Sequence, residues 1–86
     1  MQLEILTPSQ NVFSGEVKLV KVPGSNGSFE ILKNHAAIIS SLGDGELKVI
    51  TESGETLRYK TSGGVVEVKN NKVVVLAETI GSRNVP

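Results

Sequence analysis

Cysteine and tryptophan are absent from this sequence, and no apolar stretch approaches the roughly 20 residues that would span a bilayer. The missing thiols exclude disulfides, thiolate nucleophiles and cysteine zinc sites, and fit a reducing compartment. Aromatic residues make up only 3% of the chain, and nine Lys and Arg are cancelled by nine Asp and Glu. With neither a basic face nor a stacking platform, the usual footprint of a nucleic-acid binder is missing. The opening residues MQLEILTPSQ show no basic region followed by an apolar run, so no signal peptide is expected. Membrane association is expected only through a partner.

What the chain does have is alternation. Leu3 and Ile5 point one way while Gln2 and Glu4 point the other, and Gly45–Glu46–Leu47–Lys48–Val49 repeats the pattern. Turn signals separate these runs at Thr7–Pro8–Ser9, Pro23 to Gly27, Gly43–Asp44–Gly45, Ser53–Gly54 and Asn70–Asn71. Short alternating strands at this spacing predict an all-β chain, an antiparallel β-sandwich or flattened barrel. The phase switch within Val17 to Val22 predicts a bulge or a strand changing sheets. Asn70–Asn71 suits a two-residue hairpin turn, because asparagine tolerates positive φ. Residues 33–42 are the one stretch that tempts a helix, but Ile38 and Ile39 favour a strand. At 86 residues the chain is one domain, expected over 1–80, with a short polar and flexible tail over 81–86. Its core should include Leu3, Ile5, Val49, Leu57, Val66, Val68, Val73 and Val75.

Two runs break the alternation. Val73–Val74–Val75–Leu76–Ala77 is apolar on both faces, and Ala36–Ala37–Ile38–Ile39 nearly so. A strand in a two-layer sandwich should keep one wet face. Either local twist or barrel closure hides the second face, or another protein covers it.

The catalytic signatures fail one by one. There is no GxSxG elbow, GxxxxGK[ST] loop, HExxH motif or calcium loop, and Gly43–Asp44–Gly45 meets Lys48 where a dinucleotide fingerprint needs its third glycine. His35 is the only histidine, and one imidazole without converging carboxylates makes no metal site. Ser25, Ser28, Ser40 and Ser41 lie near it in sequence, as serines commonly do in β-turns. The chain is expected to be no enzyme and to hold no cofactor and no metal.

Leu3 to Pro8 and Val12 to Val17 open in the manner of the ATP synthase epsilon subunit family. The segment VPGSNGSFEILKNHA, from Val22 to Ala36, resembles that family's PGSxGxFxxLxxHA run. Ser62 to Val68 and Asn71 to Ala77 resemble its closing GGxxEV and NxVxVLA strands. The order and spacing of these pieces, from Leu3 to about Thr79, carry the likeness; each alone is weak. The resemblance implies a ten-stranded β-sandwich, the N-terminal domain of a short form lacking the C-terminal helical hairpin. It implies a non-catalytic rotor subunit of the central stalk of an F-type ATP synthase. Such a subunit links gamma to the polar loops of the membrane c-ring and couples proton transport to ATP synthesis.

On the same resemblance, Thr7, His35 and Ala36 are the candidate gamma contacts, and Asn26, Ser28 and Glu30 the candidate c-ring contacts. Ser28 stands where family members often carry a carboxylate, which leaves Glu30 as the acid of that strand face. Lys33, Asn34 and Ala37 likewise replace the Pro-Gly pair and the Pro that often flank the histidine. For His35 the plainer reading is a ring satisfied by neighbouring backbone. The implied location is peripheral, at the cytoplasmic face of a bacterial plasma membrane. The competing reading is a biotinyl or lipoyl carrier domain with a modified lysine, for which Lys72, beside the Asn70–Asn71 turn, is the candidate.

Overall fold

The computed structural model describes residues 1–82, which form seven β-strands and no helix. They are β1 (Gln2–Thr7), β2 (Gln10–Gly24), β3 (Gly27–Leu32), β4 (Ile38–Leu42), β5 (Gly45–Thr51), β6 (Thr56–Lys69) and β7 (Lys72–Ser82). Three of them change partners along their length. Residues 10–16 of β2 pair with β1, while residues 17–24 pair with β3 and β5. Residues 56–61 of β6 pair with β5, and 64–68 with β4. Residues 72–76 of β7 run parallel to β1, and its far end pairs with the first half of β6.

Two layers result. One holds β4, the second half of β6, the first half of β7, β1 and the first half of β2. The other holds β3, the rest of β2, β5, the first half of β6 and the end of β7. With the three bent strands counted once per layer, seven strands supply the ten segments expected of the sandwich.

Two of these bends have a local cause. The register of β2 slips between Val17 and Leu19, where the phase of the sequence switches. In β6 the change falls at Gly63 and Gly64, whose φ values are 64° and 129°. Residues 33–37 form no helix, and Ile38 and Ile39 begin β4. Asn70 and Asn71, with φ of 52° and 61°, close the β6–β7 turn.

Alternation then delivers the core. Leu3, Ile5, Val49, Val66, Val68, Val73 and Val75 are fully buried as expected, together with Val17, Val20, Val22, Ile31 and Leu47. Leu57 is instead half-buried against this cluster, because it is the second residue of β6 and sits at the layer's margin. Each such burial is worth about 1.5–3 kcal/mol. No buried side-chain polar atom lacks a partner among the described residues. Gly81 and Ser82 of the expected tail are the last residues of β7, paired with Lys60 and Tyr59; the rest of that tail lies outside the described residues.

Candidate functional site

His35 is half-buried between β3 and β4. Its ring Nδ1 lies 2.7 Å from the carbonyl oxygen of Ala36, and its main-chain N–H donates to the Leu32 carbonyl at 3.1 Å. The nearby serines bond elsewhere: the Ser41 hydroxyl donates to Ser25 Oγ at 2.8 Å, and Ser40 donates to a backbone carbonyl. Among the described residues no serine is joined to the imidazole, so the pair needed to activate a nucleophile is not assembled there. Among the described residues no three His, Asp or Glu side chains converge as a metal site. Lys72 lies in β7 rather than at a hairpin tip, and its ammonium sits 3.6 Å from Glu4.

The unusual feature is the outer face of the layer that contains β1. Val65 stands opposite Leu76 across β6 and β7, Leu76 opposite Leu6 across β7 and β1, and Ser41 opposite Val65 at the other edge. Because Leu3, Ile5, Val66, Val75 and Ala77 point inward, period two turns this whole row outward. Leu76 is 50% exposed and Val65 39%. Two residues along, the next row on this face carries Ile39, Glu67, Val74 and Glu4, and Ile39 is 74% exposed. A shallow depression of about 330 Å³ extends the apolar row, lined by Leu6, Thr7, Pro8, Leu76, Ala77 and Glu78. Contiguous exposed apolar residues rimmed by charge mark a contact surface.

The opposite layer presents a different face. Lys21 stands opposite both Glu30 and Lys48, and Lys48 opposite Arg58, whose guanidinium donates to Glu46 at 2.8 Å. On its edge strand β3, Ser28 and Glu30 point outward while Ile31 is buried and Phe29 packs on the core. Asn26 lies in the exposed turn before them, and the Ser25 N–H donates to the Ser41 carbonyl at 3.0 Å.

Two of the sequence-named groups therefore sit differently. Asn26, Ser28 and Glu30 form one group at the β2–β3 hairpin. Thr7, His35 and Ala36 do not come together. Thr7 adjoins the depression at the end of the sandwich that also holds Ser25, Ser41 and Leu42. His35 and Ala36 are at the opposite end, where the Asn34 N–H donates to Asn71 Oδ1 at 2.9 Å. They bracket the apolar face, one at each end, rather than forming a cluster. Of the face residues, Leu76 and Ile39 belong to the two runs apolar on both faces, whereas Leu6 on β1 and Val65 on β6 lie outside both runs.

Residues 1–82 match the family model described as ATP synthase, Delta/Epsilon chain, beta-sandwich domain. The ATP synthase epsilon chain of Pelotomaculum thermopropionicum is 43% identical over 76 residues, covering 88% of this chain and 56% of that one. That of Chlorobaculum tepidum is 36% identical over 78 residues, covering 91% of this chain and 89% of its own length. The chain thus spans little more than half of one relative and most of the other. Among solved structures, a chain in the Euglena gracilis mitochondrial ATP synthase OSCP/F1/c-ring assembly superposes with a TM-score of 0.88. It is 21% identical, and the match covers 98% of this chain and 54% of that one, which makes it a likeness of fold.

Proposed function

The chain belongs to the ATP synthase delta/epsilon family through its β-sandwich domain, and from that premise we propose that it acts as a non-catalytic element of the central stalk. In this reading the sandwich links the gamma subunit to the polar loops of the c-ring and couples proton transport to ATP synthesis. It is peripheral to the membrane, on the cytoplasmic side of a bacterial cell, and is held there by its partners.

One observation carries the proposal: the uncovered row of Val65, Leu76 and Leu6 beside the exposed Ile39. A monomer gains nothing from leaving these side chains in water, whereas a partner that covers them gains roughly 25 cal/mol per Å² of apolar surface removed. We assign this face to gamma, with Thr7 at one end and His35 and Ala36 at the other. The β2–β3 hairpin, with Asn26 at its tip and Ser28 and Glu30 facing outward, is assigned to the c-ring. A polar, charge-bearing tip suits polar loops as an apolar face suits gamma.

The test is co-purification with gamma and the c-ring from the same source. Wild-type chain should be retained by both. Substituting Asp for the exposed Ala36 should weaken gamma retention while leaving the fold intact, because it places an unpaired charge in a contact. Retention by neither partner would overturn the assignment.

A further inference from the structure

We propose that Asn26 is a site of spontaneous covalent modification, converting to aspartate and isoaspartate through attack by the main-chain nitrogen of Gly27. Four observations place the reaction here. Asn26 is exposed in the turn that joins β2 to β3, and Gly27, the first residue of β3, is exposed beside it. A Cβ built on Gly27 would meet nothing within 4 Å, so the space beside its Cα is open. The Asn26 amide has no hydrogen-bond partner among the described residues, whereas that of Asn71 accepts from the Asn34 N–H at 2.9 Å. Finally, Asn11, Asn34, Asn70, Asn71 and Asn84 are each followed by a residue with a Cβ, and Asn26 alone precedes a glycine.

The step balances without an oxidant. Gly27 N gives its proton to water, attacks Cγ of Asn26, and forms an N–Cγ bond. The Cγ–Nδ2 bond breaks, and the leaving nitrogen takes up a proton and departs as ammonia. Water then opens the five-membered imide at either carbonyl. Opening at Cγ restores the main chain with aspartate. Opening at the main-chain carbonyl leaves isoaspartate, with one more carbon in the backbone.

Either product adds a negative charge to a chain whose formal net charge is zero. Isoaspartate also lengthens the turn, opposing the Gly24–Gly27 pairing and the Ser41 contacts to Ser25. The inference stands on Asn26 and its neighbours and does not depend on what the hairpin touches.

The test incubates the whole folded chain at mildly acidic and mildly alkaline pH and follows intact mass and ion-exchange retention. A more acidic species should accumulate, heavier by the difference between a hydroxyl and an amino group. Its rate should rise about tenfold per pH unit, as removal of one proton requires. Cleavage after Lys21 and Lys33 yields a peptide whose only asparagine is Asn26, and the gain should map there as two products of equal mass. Asn26→Ser should form the acidic species at least tenfold more slowly. Gain mapping first to another asparagine, an equal rate in Asn26→Ser, or no conversion while the urea-unfolded chain converts would each overturn the proposal.

Discussion

Gly64 sits where β6 leaves one layer for the other, at a φ of 129° that side chains rarely adopt. A Cβ there would collide with the Leu76 carbonyl oxygen and lie 2.9 Å from Ala77 Cα, both fixed in the paired strand β7. Gly64→Ala should therefore cost roughly 3 kcal/mol or more in urea unfolding, from strain and overpacking together. Gly81, with nothing within 4 Å and no positive φ, is the control, and Gly81→Ala should shift stability by less than about 0.5 kcal/mol. A second residue-scale effect belongs to Tyr59. Burial, and then the nearby charge of Glu55, raise its phenol above the ordinary value of 10.0. The folded chain thus holds the phenolic proton more tightly than the unfolded chain does. The stability that goes with this is complete below pH 10.0 and is lost as pH rises through the raised value. Thermal unfolding of wild type should weaken across that window relative to Tyr59→Phe, and parallel curves for the two would show that the phenol is not held.

At the scale of elements, the β6–β7 turn does more than reverse the chain. Asn70 and Asn71 both take positive φ, and Asn71 also accepts the Asn34 N–H, tying this turn to the loop that carries His35 and Ala36. Asn71→Ala removes that acceptor and puts alanine, which tolerates the left-handed region less well than asparagine does, at a φ of 61°, so it should cost about 1–3 kcal/mol. The Asn34 amide should then exchange with solvent faster, whereas Asn70→Gly should leave both readouts near wild type. That this turn was legible follows from asparagine chemistry, which is local. The bulge after Val17 and the inward set of Leu3, Ile5, Val73 and Val75 were legible for the same reason. Which layer each half of β2, β6 and β7 joins was not, because it rests on pairings between residues far apart in sequence. The parallel pairing of β1 with β7 is the clearest case. The candidate site was legible as two-faced runs but not as a surface. Leu6 reaches the row only because β1 lies beside β7, and Thr7 and His35 part company only because β1 and the β3–β4 loop end at opposite ends of the sandwich.

For the whole molecule, the neighbours Val75 and Leu76 separate what the fold needs from what an assembly needs. Val75 is fully buried, and Leu76, one residue on, faces outward and is half exposed. Val75→Ala should lower unfolding stability by about 2 kcal/mol, through lost burial and the space left behind. Its affinity for gamma should not change under conditions where it remains folded. Leu76→Glu should do the reverse. An exposed strand position tolerates a charge within about 1 kcal/mol, so its unfolding curve should nearly overlay that of wild type. Under the proposed assembly, however, the same charge would have to be buried unpaired against gamma. Its affinity should fall at least about tenfold, equivalent to about 1.4 kcal/mol, and the loss should appear mainly as faster dissociation. Glu30→Gln, on the other layer, should leave gamma binding alone and weaken only retention by the c-ring. Binding titrations of the three variants beside their unfolding curves decide the matter. Equal gamma affinity for Leu76→Glu and wild type would mean that the apolar face is not the stalk contact.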